Sequence, residues 1–251
     1  MSPETTATLY SVFLIFCRVG ACLMILPGYS SVRIPTQVRL FIAVAIVLAI
    51  APRLMPDIRP LVATAGDSLR MQLLVTELLN GALIGLLGRT FLVALQFAGS
   101  FMANAIGMSN ALGVPMHDQD SVPELVTLVT MTATVLIFTL NLHAEVIRAL
   151  VASYGPMPLD LGFGAREGLV QFTDNLDETF LLCLRIASPF VVYAVIVNFA
   201  IGLMNKMTPQ IPIYFISMPF VVAGGLVLLG YSIGDFLTIF INGFRVWVFN
   251  G

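Results

Sequence analysis

Residues 73–95 read LLVTELLNGALIGLLGRTFLVAL, with two charges, Glu77 and Arg89, and no proline. Crossing about 30 Å of hydrocarbon needs about 20 helical residues, so the stretch is long and apolar enough to span a bilayer. Glu77, Gly81, Gly85 and Arg89 recur every four residues and share one helix face. The two glycines form a GxxxG, which lets a neighbouring backbone come close in an apolar setting. Glu77 and Arg89 are twelve residues apart, roughly 18 Å along a helix axis, so they cannot pair with each other. Each needs a partner elsewhere, for which Arg18 and Arg185 are candidates, or a polar cavity. We expect a buried interhelical or intersubunit ion pair at Glu77; the alternative is two interfacial charges at the segment ends.

The rest of the chain has the same character. Of 251 residues, 58% are apolar and 10% are Asp, Glu, Lys or Arg, against about 45–50% and about 25% in soluble domains. Mean hydropathy is +0.96. Twelve basic residues against fourteen acidic ones give a net charge of −2, with no basic cluster. These values exclude a soluble enzyme, a disordered tail and a nucleic-acid binder. The class that remains is an all-α integral membrane protein, read as one integrated membrane domain.

Six hydrophobic segments stand out: about 9–27, 40–51, 73–95, 125–142, 180–203 and 213–231. Gly28 to Pro35 separates the first two, and Pro52, Pro56, Pro60 and Gly66 break the chain before the third. A long connector from Gly99 to Pro123 follows. Another runs through Gly155, Pro156, Pro158, Gly162 and Gly164, with acids at Asp174, Asp177 and Glu178. Between Pro35 and Pro52 the second segment has at most sixteen residues, roughly 24 Å of helix. The third can run from Leu69 to Ile106 without a proline, too long for a simple crossing. This uneven set predicts helices that pack on protein and project beyond lipid. Basic residues Arg53, Arg59, Arg70, Arg148, Arg166 and Arg245 against Arg33, Arg39 and Lys206 lean toward a cytoplasmic N-terminus. Glu4, the missing basic n-region and Arg18 argue against a cleaved signal peptide.

Gly99, Ala103, Gly107 and Ala111 continue the small-residue stripe at spacing four. The connector after it contains Gly107, Met108, Ser109, Asn110, Gly113, Met116, His117 and Asp118 and no basic residue up to Ser121. Methionine deforms to fill irregular gaps, so this loop could seal a passage and give way; an ordinary surface loop has the same composition. In the fifth segment Pro189 predicts a kink. Ala194, Asn198 and Gly202 share a face there, followed by Asn205, Lys206, Pro209 and Gln210. An Asn in a span ordinarily bonds to a neighbouring helix; the functional reading is a constricted polar rim. Arg18 and Arg185 are intramembrane cations and so site candidates. Cys17, Cys22 and Cys183 read as small core residues. His143-Ala-Glu145 could be an acid/base pair, but an interfacial His beside a solvated Glu is the simpler reading. HExxH, GxSxG, P-loop and dinucleotide fingerprints are absent, so neither catalysis nor a cofactor or metal is expected.

Particular stretches carry a resemblance. Arg18-Val-Gly-Ala with Pro27, then Pro35 and Arg39 leading to Ala51-Pro52, resembles the opening of the FliR family. Gly81, Gly85 and Gly88, followed by Phe97-Ala-Gly and Met108-Ser-Asn-Ala, are similar to its middle. Asn141-Leu-His143 through Leu150, Ser153 and Pro158 is similar too. The densest match is Asn198-Phe-Ala-Ile-Gly-Leu-Met-Asn-Lys-Met-Thr-Pro-Gln210, with Pro219 and Gly224-Gly225 behind it. One departure is clear: a DP-type dipeptide common in the family's loop is replaced by His117-Asp-Gln-Asp120.

The resemblance implies an export-gate subunit of the flagellar type III secretion apparatus in the bacterial inner membrane, at the flagellar basal body. It implies a FliP-like part (about 1–178) fused to a FliQ-like part (179–251) in a helical, funnel-shaped gate. The implied partners are FliP-like and FliQ-like subunits, FlhB-like and FlhA-like export components, unfolded flagellar substrates in transit, and lipid. The loop 107–121 is then expected to help plug the channel at rest. A close paralogue serves virulence injectisomes. From a different class, a small secondary transporter would use Glu77, Arg89 and Arg185 along a substrate path.

Overall fold

The computed structural model describes residues 3–30, 34–108, 124–159 and 162–250. Among them the ordered elements are seven helices and no strand: α1 (Pro3–Ile25), α2 (Thr36–Thr64), α3 (Asp67–Ile106), α4 (Glu124–Thr139), α5 (Leu142–Ala152), α6 (Ala165–Met207) and α7 (Ile213–Asn250). Five are long and apolar enough to cross a membrane, and α4 with α5 makes a sixth if that bent pair is one span. An all-α, multi-span chain with about six hydrophobic segments is what the sequence predicts.

Acidic residues open several helices (Glu4, Asp67, Glu124 and Glu167) and Lys206 closes α6, the arrangement the helix dipole favours. Helix α3 has 40 residues, roughly 60 Å, and matches the proline-free stretch noted above. Helix α2 departs from expectation: it has 29 residues and continues through Pro52, Pro56 and Pro60. The reason is their spacing. Prolines four apart remove their N–H groups along one ridge, and that ridge is exposed. The opposite face, Ala43, Val47, Ala51, Leu54, Ile58 and Val62, is an unbroken buried stripe, and α2 packs through this side of the chain against α1. Helix α6 likewise starts before the predicted segment. Asp174, Asp177 and Glu178 lie on the helix rather than in a connector, and Pro189 is accommodated inside it.

The fourth segment is not one straight helix. α4 and α5 meet at 69°, and Asn141 between them is left-handed at φ 58°, ψ 18°. Asparagine reaches this region far more readily than a β-branched residue. Asn141→Val is therefore expected to destabilise the chain by about 1–2 kcal/mol and Asn141→Gly to be tolerated, read as the thermal midpoint of the detergent-extracted protein.

The chain divides into two compact units, each assembled from separate stretches. The first contains residues up to 90, 137–176 and from 246; the second contains 91–136 and 177–245. In the first, α1 and the start of α3 supply the core, with Leu14, Ile15, Val19, Cys22, Leu73 and Leu87 buried. In the second, Phe91 meets Phe244 edge-on at 5.8 Å, and Phe240 stacks beside it. There Gly99 lies against Val126, and Gly225 against the Ile106 side chain. All three cysteines are buried and free, as expected of core residues.

Candidate functional site

Two charges are fully buried in the first unit, and they belong to each other. The Arg18 guanidinium on α1 donates through Nε and Nη2 to both oxygens of Glu77 on α3, at 2.8 and 2.6 Å. Both side chains have 0% exposure. Two of the three remaining N–H groups are also used: Nη1 reaches Ser153 Oγ at 3.1 Å and Nη2 reaches the Met157 carbonyl at 2.8 Å. The Tyr154 ring covers the guanidinium, its centre 3.8 Å from Cζ. Burial, and then the Glu77 carboxylate, push the Tyr154 hydroxyl up, so the ring meets the cation as a neutral group. A bidentate pair with further hydrogen bonds of this kind is what allows two charges to remain in an apolar interior.

The GxxxG explains how the helices come close enough. A Cβ at Gly81 would overlap the Arg18 carbonyl, and one at Gly85 would lie 2.7 Å from the Cys22 carbonyl. Backbone therefore packs on backbone, and the contact at Gly81 falls at the residue that supplies the cation. A second polar tie lies further along α3: Asn175 on α6 donates Nδ2 to the Leu87 carbonyl at 3.0 Å and to Thr90 Oγ1 at 2.8 Å. The sequence reading named Arg18, Glu77, Gly81 and Gly85 and foresaw an ion pair at Glu77. It missed Ser153, Tyr154, Met157, Thr90 and Asn175.

Arg89 and Arg185 do not share this burial. Both are exposed, projecting from α3 and α6 away from the chain's own core. Arg185 is consequently not the partner of Glu77. The stripe residues Gly99 and Ala103 are buried, as a packing surface requires, while Asn104 beside them is exposed.

Of the proposed loop, Gly107 and Met108 are described, and Ser109, Asn110, Gly113, Met116, His117 and Asp118 lie outside the described residues. Gly107 ends α3 at φ +79° and donates its N–H to the Asn104 carbonyl at 3.0 Å, a left-handed helix stop that favours glycine. The rim candidates Asn198, Gly202, Asn205, Lys206, Pro209 and Gln210 are all exposed, along the last turns of α6 and the turn into α7. Asn198 differs from the expected interhelical bond: its Nδ2 donates to Ala194 O of its own helix at 2.8 Å. Large apolar side chains flank these residues in the open, including Phe199 and Met207.

His143 and Glu145 do not form an acid/base pair. Glu145 accepts from Arg148 at 2.6 Å, and the His143 ring lies 5.2 Å from that of Phe138. Among the described residues no group of three or more His, Cys, Asp or Glu side chains is placed to hold a metal ion.

The chain is 27% identical over 241 residues to the flagellar biosynthetic protein FliR of Caulobacter vibrioides, covering 96% of this chain and 95% of that protein. It is 28% identical over 212 residues to FliR of Escherichia coli, covering 84% and 80%. A Yersinia pestis protein, Yop proteins translocation protein T, is 26% identical over 211 residues, covering 82% and 79%. The model of the family described as bacterial export proteins, family 1, matches residues 9–246, nearly the whole chain, and the chain belongs to that family.

Proposed function

We propose that this protein is a core subunit of the export gate of the flagellar type III secretion apparatus. It would form part of the passage for unfolded flagellar proteins across the bacterial inner membrane, within the basal body. The observation that carries this reading is the end-to-end similarity to FliR of Caulobacter vibrioides, which leaves almost no part of either chain uncovered. The exposed apolar residues of α6 and α7 support it, since such faces suit neighbouring subunits as well as lipid.

On this reading residues 1–178 play a FliP-like and 179–251 a FliQ-like part. FliP-like, FliQ-like, FlhB-like and FlhA-like components are the neighbours. The chain moves no group chemically. Its small-residue faces lock subunits together, the loop 107–121 occludes the channel, and Asn198 to Gln210 form the rim. Energy for transport comes from elsewhere in the apparatus. The transporter alternative is weakened, because Glu77, its candidate substrate ligand, is already neutralised by Arg18.

The test is the native mass of the tagged protein extracted in mild detergent from its own cells. The expected result is one large particle containing several copies of short hydrophobic subunits. A lone monomer or homodimer would overturn the reading. The similarity to the Yersinia protein favours an injectisome as the second system; loss of motility and filaments on gene deletion would separate the flagellar role from it. Within an assembled gate, deleting part of 107–121 is expected to raise ion leak across the membrane. An unchanged leak would remove the plug role.

A further inference from the structure

A cavity of about 710 Å³ lies within the first unit, inside the range of about 300–1,000 Å³ typical of small-molecule sites. Its walls are apolar, including Leu83 and Leu87 of α3, Ala149 of α5, Phe163 ahead of α6 and Trp247 of α7. One polar side chain is sealed into this wall. Asn80 is 2% exposed, and its Nδ2 finds no acceptor among the described residues. A buried amide left in this state costs about 1–3 kcal/mol, a penalty that a bound carbonyl would remove once the side chain turns toward the cavity. Among the described residues no Arg or Lys lines the cavity, and its one charged residue is Glu167. Glu167 and Gln171 also line an adjoining groove together with Arg166 and Asp174. That groove lies on the charged first turns of α6, ahead of the apolar run that begins at Phe180. The mouth is thus at the polar end of a membrane-spanning helix.

We propose that this cavity holds one acyl chain of a glycerophospholipid with an amine-bearing head group. The ester carbonyl accepts from Asn80, the phosphate faces Arg166, and the ammonium faces Glu167 and Asp174. A free fatty acid or an anionic phospholipid is disfavoured, because the carboxylates Glu167 and Asp174 outnumber Arg166 at the mouth and, among the described residues, no cation lines the cavity. The inference uses the chain's membrane character alone and stands or falls separately from the export role.

The experiment counts phospholipids by class on the complex extracted in mild detergent and washed, using native mass spectrometry with lipid extraction. Wild type is compared with Ala149→Phe, which fills the cavity, and with Glu167→Lys, a surface change at its mouth. The expected result is that Ala149→Phe loses one amine-headed phospholipid per copy of this chain. Glu167→Lys should keep a lipid but shift its preference toward anionic head groups by about tenfold, the worth of one charge-assisted hydrogen bond. If Ala149→Phe fails to assemble, the head-group shift in Glu167→Lys decides alone. Lipid number and class unchanged in both variants would overturn the proposal. So would a photo-crosslinker at position 149 that traps a neighbouring polypeptide in place of lipid.

Discussion

Replacing Arg18 by alanine while Glu77 remains is expected to destabilise the chain by about 3–5 kcal/mol, enough to abolish its accumulation. The loss does not measure the attraction of the pair. It arises because the Glu77 carboxylate, now at 0% exposure with no cation, must be dehydrated or protonated. Glu77→Gln keeps the shape and should do less damage, although it leaves the guanidinium short of a counter-charge. Replacing both residues by methionine should recover most of the stability, since a well-packed apolar pair of similar volume is often no worse than a buried ion pair. The measurement is the thermal midpoint of the extracted protein, together with the amount assembled in the membrane. A Glu77→Gln chain that matches wild type in both would show that the pair is dispensable.

Gly81→Ala is expected to rank next, with a loss of about 3 kcal/mol or more, at the upper end of overpacking penalties. Its Cβ would overlap backbone, the Arg18 carbonyl, which cannot rotate away. Parting the helices there also stretches the charge pair one turn off, so the two effects compound. Gly85→Ala should be milder, with its Cβ 2.7 Å from the Cys22 carbonyl. Gly99→Ala should be nearly neutral, because its Cβ meets a Val126 methyl at 3.3 Å. An order of harm 81 > 85 > 99 in thermal midpoint checks this; equal effects would show that the glycines serve composition rather than contact.

Which parts of this were legible beforehand follows from the range of each interaction. A charge in a hydrophobic run must find a partner, so Glu77 announced its ion pair and a short list of cations contained Arg18. The GxxxG likewise announced a close helix contact through its own spacing. Ser153 and Met157 gave no such signal, since their bonds to Arg18 span 135 and 139 residues. Nothing local marks a serine or a backbone carbonyl as the end of so long a reach. Helix α2 is longer than its prolines suggest because the three act together. Three prolines in register leave the opposite face intact, and packing on that face outweighs the lost bonds. Arg89 and Arg185 misled for the converse reason. An apolar sequence around a cation says that the helix is buried in something, but not that the chain's own helices do the burying. The similarity to FliR reached the family where composition stopped at a membrane protein.

The Arg18–Glu77 pair also sets an order of events during synthesis. Arg18 emerges in the first helix, and its counter-charge is 59 residues further along. A cation of this kind in the middle of a lone helix opposes membrane insertion by about 2.5–3.5 kcal/mol. Helix α1 therefore gains a strong incentive to stay beside the insertion machinery until α3 has been translated. The two helices, which run parallel with Arg18 beside Gly81 and Cys22 beside Gly85, then enter lipid as a neutral pair, with α2 carried between them in the chain.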